Sequence, residues 1–214
     1  MTVVNHELGP RAKQKKETRA KILQAALELF AEKGFEGASV RDIAGRAGVF
    51  HGLIKYHFDN KDALWKAAVD FLFQRQRDEM ANPSDFDSLS PKEQARNWLR
   101  RYVHYCARHP EHARIMVQES LRDTERLRWA VDTHITPVHK SVRDITDAWR
   151  KAGVYPQIPD HAITYIISAA AQSPFMLAPE LKHGKGIDMS NEAQIDAYAD
   201  ALITFLFDHK IADA

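Results

Sequence analysis

The chain has 214 residues, 44% hydrophobic and 28% charged, with a net charge of +1 and a single cysteine. That length supports one large or two modest domains with a sizeable core, and the composition excludes a fibrous or wholly disordered chain. Cys106 alone excludes an internal disulfide framework. The first 19 residues lack the apolar stretch of a signal peptide and no run approaches the roughly 18 apolar residues of a membrane span, so a cytoplasmic protein with no membrane contact is expected.

Charge is unevenly spread. Residues 1–60 hold ten Lys/Arg against seven Asp/Glu, and residues 61–214 hold twenty against twenty-two. Six of those basic residues fall within the first 21, so a basic N-terminal arm (Arg11, Lys13, Lys15, Lys16) is a modest signal for nucleic acid. The plainer alternative is a solvated, disordered tail.

The pattern is helical nearly throughout, which predicts an all-α protein of about nine helices. From Thr18 to Lys33, Ile22, Leu23, Ala26, Leu27 and Phe30 recur at helical spacing. Gly34 fits a left-handed stop, with Phe35 placed to fold back on the last turn. Ser39 caps a second helix, with Asp42 in the reciprocal role of a capping box, and that helix stops at Gly48. A short third helix is expected over Phe50–Phe58. Val49, Ile54 and Phe58 would hold it on Ile22, Leu27 and Ile43, leaving His51, Gly52, Lys55 and Tyr56 outside. Asp59 and Asn60 then offer caps for a fourth helix carrying Ala63, Leu64, Ala67, Ala68 and Phe71.

Residues 82–91 read as a linker ending in Ser90 and Pro91, which open a helix to residue 108. His109 and Pro110 break it before a shorter helix at about 111–122. From Thr124 to Lys151, Leu127, Val131, Ile135, Val138, Val142, Ile145 and Trp149 form one stripe of a long helix, expected to bend at Pro137. Residues 160–178 and 191–209 are apolar on more than one face and so require a second burial surface. The polar stretch 179–190 between them reads as a loop.

Helix, short helix, turn and short helix outline a helix-turn-helix, whose second helix fits the ~12 Å major groove of B-DNA. Gly52 would permit close approach, Lys55 would reach a phosphate or a guanine edge, and Tyr56 would offer a ring face or a hydroxyl. The segments ILQAALELFAEKGFEGASVRDIAGRAGV, YHF and NKDAL make residues 18–64 resemble the N-terminal domain of the TetR family of one-component transcriptional regulators. The remainder more loosely resembles that family's ligand and dimer domain.

The resemblance implies a DNA-binding helix-turn-helix domain over residues 1–60 and a helical effector-binding and dimerisation domain over residues 61–214. It implies a homodimer joined through the last two helices on a palindromic double-stranded DNA operator, and a repressor released by a small-molecule effector. Carried over by position, Ser39, Arg41 and Lys61 would contact phosphates, and Tyr56 and His57 the DNA backbone. Phe50 stands where the family has Ser or Thr; it cannot cap, which leaves thymine methyls or simple packing as its role. With His51, Leu53 and Lys55 it suggests an operator of the chain's own.

No HExxH, P-loop or Ser-His-Asp pattern is present, so no catalytic residue, cofactor or metal is expected. His104, His109, His112, His134, His139 and His161 show no metal-ligand spacing, and His104 and Cys106 would point about 200° apart on a helix. Polar and aromatic residues set among apolar ones suggest an effector cavity. Its candidates are His104, Tyr105, Met116, Trp129 and His134 in the middle of the chain, and Tyr165, Gln172, Phe175 and Met176 further on, each of which could equally be ordinary core.

Overall fold

A computed structural model describes residues 9–81 and 86–208. Among these residues every regular element is helical, with no strand. The chain falls into two compact units that divide between Leu72 and Phe73.

The first unit opens with α1 (Pro10–Gly37). Pro10 at the first helical position needs no N–H partner, and the carbonyl of Gly9 accepts from the amides of Ala12 and Lys13. The helix thus starts eight residues before the predicted Thr18. Arg11, Lys13, Lys15 and Lys16 belong to it rather than to an extended or disordered arm, while residues 1–8 lie outside the described residues. Ile22, Leu23, Leu27, Leu29 and Phe30 are almost wholly buried, each worth about 1.5–3 kcal/mol of apolar burial. Gly34 breaks the helix at φ 71°, and the Phe35 ring stacks 5.9 Å from Phe30, as its position after the glycine predicts.

α2 (Val40–Ala47) begins where Ser39 Oγ accepts the Asp42 amide at 3.0 Å. It ends at Gly48 (φ 65°, ψ 33°), where the Gly48 and Val49 amides reach back to Gly45 and Ala44 and satisfy the last carbonyls. α3 (Gly52–His57) is shorter than Phe50–Phe58, because residues 50 and 51 form a tight turn in which their carbonyls accept from Leu53 and Ile54. Ile54 and Phe58 are buried as expected, and Val49 only half so. α4 (Lys61–Met80) is capped by Asn60, whose Oδ1 accepts from Ala63 at 2.8 Å.

The second unit contains α5 (Pro91–Arg108), α6 (Pro110–Ser120), α7 (Glu125–Ala130), α8 (Thr136–Lys151), α9 (Asp160–Met176), α10 (Ala178–Lys185) and α11 (Glu192–Ile203). The capping box at Ser90 and Glu93 forms in both directions. Two features raise the helix count above nine. The long helix bends not at Pro137 itself but through a π-helical turn, Val131–Ile135, just before it. Proline has no N–H for the carbonyl four residues back, and the wider turn absorbs that defect. In addition α10 occupies the stretch expected to be loop. Its apolar anchors Ala178 and Leu181 pack on the core, which is too few for a periodic pattern, and Gly186 (φ 70°) ends it.

α5 is the spine of this unit. Leu99, Val103 and Tyr105 join Trp149 of α8, Ala171 and Phe175 of α9, and Ala199 and Ile203 of α11 in one core. An ionic ladder closes the seam between α5 and α11 with the π-helical turn Thr204–Asp208 that continues it. Lys92 and Arg96 pair with Asp208, Arg100 with Asp200, and His104 with Asp196 and Glu192.

Candidate nucleic-acid interface and ligand cavity

The outer face of α3 carries Leu53, Lys55 and Tyr56, and Phe50 stands in the turn just before it. Phe50, Leu53 and Tyr56 are 71%, 37% and 68% exposed. The Phe50 ring lies over Gly52, where a Cβ would stand 2.9 Å from Cε1 and 3.1 Å from Cδ1 of that ring. Gly52 therefore makes room for Phe50. His51 tilts against the same ring, centroids 4.4 Å apart.

Two cations of α1 reach α3 and its C-terminal end, and one of α4 returns to the end of α1. The Lys15 ammonium sits 5.1 Å from the centre of the Tyr56 ring, and the Arg19 guanidinium 5.3 Å from that of Phe58. Lys61 stands 4.5 Å from the Phe35 ring centre and donates to the Glu36 carbonyl at 3.3 Å. Burial, then the charges of Lys15 and Arg19, push the His57 imidazole below its ordinary pKa. His57 is thus held neutral in a positive field, with one ring N–H to donate. Ser39 Oγ accepts the Asp42 amide at 3.0 Å, and Arg41 is exposed. Asp42 is drawn below the usual carboxylate range, first by its hydrogen bond from Lys33 and then by Ser39. Arg46 has a structural task, a fork on Glu32 at 2.6 and 2.9 Å.

In the second unit, Tyr105, Cys106, His109, Pro110, His112, Ala113 and Gln172 line a small cavity of about 10 Å³, room for about one water. Tyr105 Oη lies 2.8 Å from His112 Nδ1, and Gln172 Nε2 donates to Tyr102 Oη at 2.7 Å. Burial, then the charge of Arg75, pushes His112 down to about 3, so it is neutral. Burial raises the Cys106 thiol to about 12, which leaves it protonated and unreactive. Phe73 lies parallel to His134 at 4.6 Å and edge-on to His112 at 4.8 Å, while Trp129 stands edge-on to His134 at 5.4 Å. His112 therefore joins the Tyr105–Gln172 set to the Trp129–His134 set.

Of the other candidates, Phe175 is buried, with its carbonyl accepting from Arg114 at 3.1 Å. Met116 and Met176 are half-buried and do not line the cavity. His104 and Tyr165 are not brought to it: His104 belongs to the α5–α11 ladder, and Tyr165 is exposed on α9. A larger hollow of about 450 Å³ opens at the surface between the end of α9, α10 and α11, lined by Pro174, Leu177, Leu181, Ile187, Met189 and Tyr198 among others. Among the described residues no group of three or more His, Cys, Asp and Glu is placed to hold a metal, and no helix is long and apolar enough to cross a membrane.

Residues 22–68 match the family model described as bacterial regulatory proteins, tetR family. An HTH-type transcriptional repressor of Mycobacterium tuberculosis is 52% identical over 58 residues, which cover 27% of this chain and 31% of that one. The chain thus spans about a third of the length of the mycobacterial relatives it matches over that segment. The HTH-type transcriptional repressor AcnR of Corynebacterium diphtheriae is 30% identical over 148 residues, 61% of this chain and 78% of AcnR. The chain belongs to the tetR family. The fold agrees along nearly the whole length: FadR of Bacillus subtilis, solved in complex with stearoyl-CoA, superposes with a TM-score of 0.60 at 19% identity, covering 86% of this chain and 97% of FadR.

Two features of this tetR-family chain escape sequence reasoning. Lys15 reaches the Tyr56 ring because α1 begins at Pro10, and Pro10 at a helix start was the available signal. His112 was legible only as one histidine among several, since burial and a tyrosine partner are tertiary facts.

Proposed function

We propose that this tetR-family protein is a ligand-responsive transcriptional regulator, a repressor that leaves a palindromic operator when a small-molecule effector binds. The observation that carries this reading is the Lys15 ammonium over the exposed Tyr56 ring of α3, with Arg19 against Phe58 at the end of that helix. A short helix cannot neutralise a duplex alone, and flanking cations supply the phosphate contacts that hold it in register. Residues 1–60 form the DNA-binding domain. Ser39, Arg41, Tyr56, His57 and Lys61 contact the backbone, while Phe50, His51 and Lys55, with Gly52 beneath them, face the bases.

Residues 61–214 bind the effector and form a homodimer through α9 and α11. Two recognition helices then meet successive major grooves, with half-sites about 34–36 Å or a multiple apart. The stearoyl-CoA held by FadR supports an effector with apolar bulk. The cavity between Tyr105, His112 and Gln172 is too small for such a molecule and must widen to admit it, so the effector must bind the widened state more tightly than the narrow one. No catalysis, cofactor or metal enters this mechanism, and the protein acts on DNA in the cytoplasm.

Footprinting on the DNA upstream of the chain's own gene tests this reading. The expected result is a two-fold symmetric footprint whose affinity falls steeply with salt, by close to one power of concentration per phosphate neutralised. An unsymmetrical footprint or a flat salt response would sink it.

A further inference from the structure

We propose that Phe50 reads thymine, its ring meeting the C5-methyl groups of thymines at the floor of the major groove. The inference rests on the DNA-binding reading above and adds the chemistry that α3 selects. It begins from a cost. Phe50, Leu53 and Tyr56 recur every third residue through the turn and α3; Phe50 and Tyr56 are left largely in water and Leu53 partly so, while Ile54 and Phe58 are buried. Such a stripe is uphill by itself and calls for an apolar partner.

The ring also lies close against its neighbours. Gly52 lies beneath it, where any Cβ would press on Cε1, and His51 packs against it at 4.4 Å. A loose surface side chain has no need of such a seat. Around the stripe stand cations: Lys15 over Tyr56, Lys55 on the same helix, and Arg19 against Phe58. An apolar centre with a positive rim fits a surface with apolar spots and a negative rim. In the major groove only the thymine methyl is apolar at the base edge, and the phosphates form the rim. A hydrophobic protein partner would match the centre and leave the cations without purpose.

The test starts from duplexes selected out of a random library by the purified full-length chain. Each thymine is then replaced in turn by deoxyuridine, which removes only the methyl. One or two positions per half-site should bind about fourfold more weakly, the worth of burying one methyl group. Phe50→Ser should bind the thymine and uracil forms of those positions equally, whereas Phe50→Leu should keep part of the difference. Gly52→Ala should also reduce it, because the new Cβ displaces the ring. Alanine favours the helix, so that variant should melt no lower than the parent. Uracil duplexes bound as tightly as thymine ones would overturn the proposal. So would a thymine preference that survives Phe50→Ser, which would assign the ring to another partner. A library that yields no enriched duplex would overturn the regulator reading itself, before any uracil is introduced.

Discussion

Arg75 Nη2 and Glu111 Oε1 lie 2.6 Å apart, both side chains largely buried, and the pair fastens the second half of α4 to the first turn of α6. Burial alone would raise the Glu111 carboxyl. Its contact with His109 and the charge of Arg75 more than offset this and leave it below its ordinary pKa. A buried charge that loses its partner costs about 3–5 kcal/mol, whereas replacing both partners with apolar groups can be nearly neutral. Arg75→Met should therefore destabilise the protein by about 3 kcal/mol, and Arg75→Met with Glu111→Leu by clearly less. Urea unfolding of the parent and both variants decides it; equal losses would mean that the pair is not coupled.

His112 sets an acid limit on stability. Its folded pKa is pushed to about 3 by burial and by Arg75, against 6.5 for the free side chain. Below about pH 6.5 the unfolded chain takes up a proton that the folded chain refuses. Stability is thus lost as pH falls from 6.5 towards 3, by about 1.4 kcal/mol per pH unit for one proton. Glu79 and Glu111, both drawn below 4.5, add losses in the same direction at lower pH. His112→Asn keeps a polar atom near Tyr105 but cannot titrate. It should be less stable than the parent at pH 7 yet show a shallower decline between pH 6.5 and 5. Parallel curves in calorimetric melts would remove His112 as the cause.

The parts of the fold that were legible are those with local causes. Ser39, Gly48, Asn60 and Ser90 satisfy backbone groups within a few residues of themselves, so their spacing alone places the ends of α2, α4 and α5. The α5–α11 ladder was half legible. Lys92, Arg96, Arg100 and His104 recur every four residues, as do Glu192, Asp196 and Asp200. Which helix meets which is a matter of tertiary packing, and so His104 was grouped with the cavity. Trp129 and His134 were brought together, but by a π-turn that no apolar period announces. At the outer face of α3 the exposure of His51, Lys55 and Tyr56 was legible, while the seat of Phe50 on Gly52 was not, because the sequence left Phe50 between thymine methyls and simple packing.

Lys15 offers a direct measure of whether the start of α1 serves the interface. Its ammonium rests over the exposed Tyr56 ring, where a phosphate can reach it. Lys15→Ala should weaken binding to all duplexes by a similar factor and reduce the slope of log affinity against log salt by about 0.9, one phosphate's share. Lys55→Ala should instead change the preferred sequence if Lys55 reaches a base edge. Binding isotherms at four salt concentrations, on the preferred duplex and one with altered half-sites, separate the two. An unchanged slope for Lys15→Ala would place that lysine outside the contact.

The remaining prediction concerns assembly. On α9, Tyr165, Ile166 and Ala169 are exposed along one stripe, and on α11 Ala197 and Ala201 are exposed along another. Buried residues on the opposite sides, Ile163 and Ala171 of α9 and Ile195 and Ala199 of α11, already serve the core. These two helices are therefore apolar on both faces, and a second copy presenting the same stripes would bury the outer one through a two-fold axis. Small residues on α11 allow close approach, and the Tyr165 ring supplies area. A carboxylate placed there would be carried into an apolar contact opposite its own symmetry mate, so Tyr165→Asp should shift the protein from two chains to one in sedimentation equilibrium. Because Tyr165 is exposed, the single chain should keep its helical spectrum and melt as a folded unit. Operator affinity should fall at least a hundredfold, since each half-site would then be held by one reading head without the linkage of the other. A Tyr165→Asp protein that still sediments as two chains would move the interface off this face.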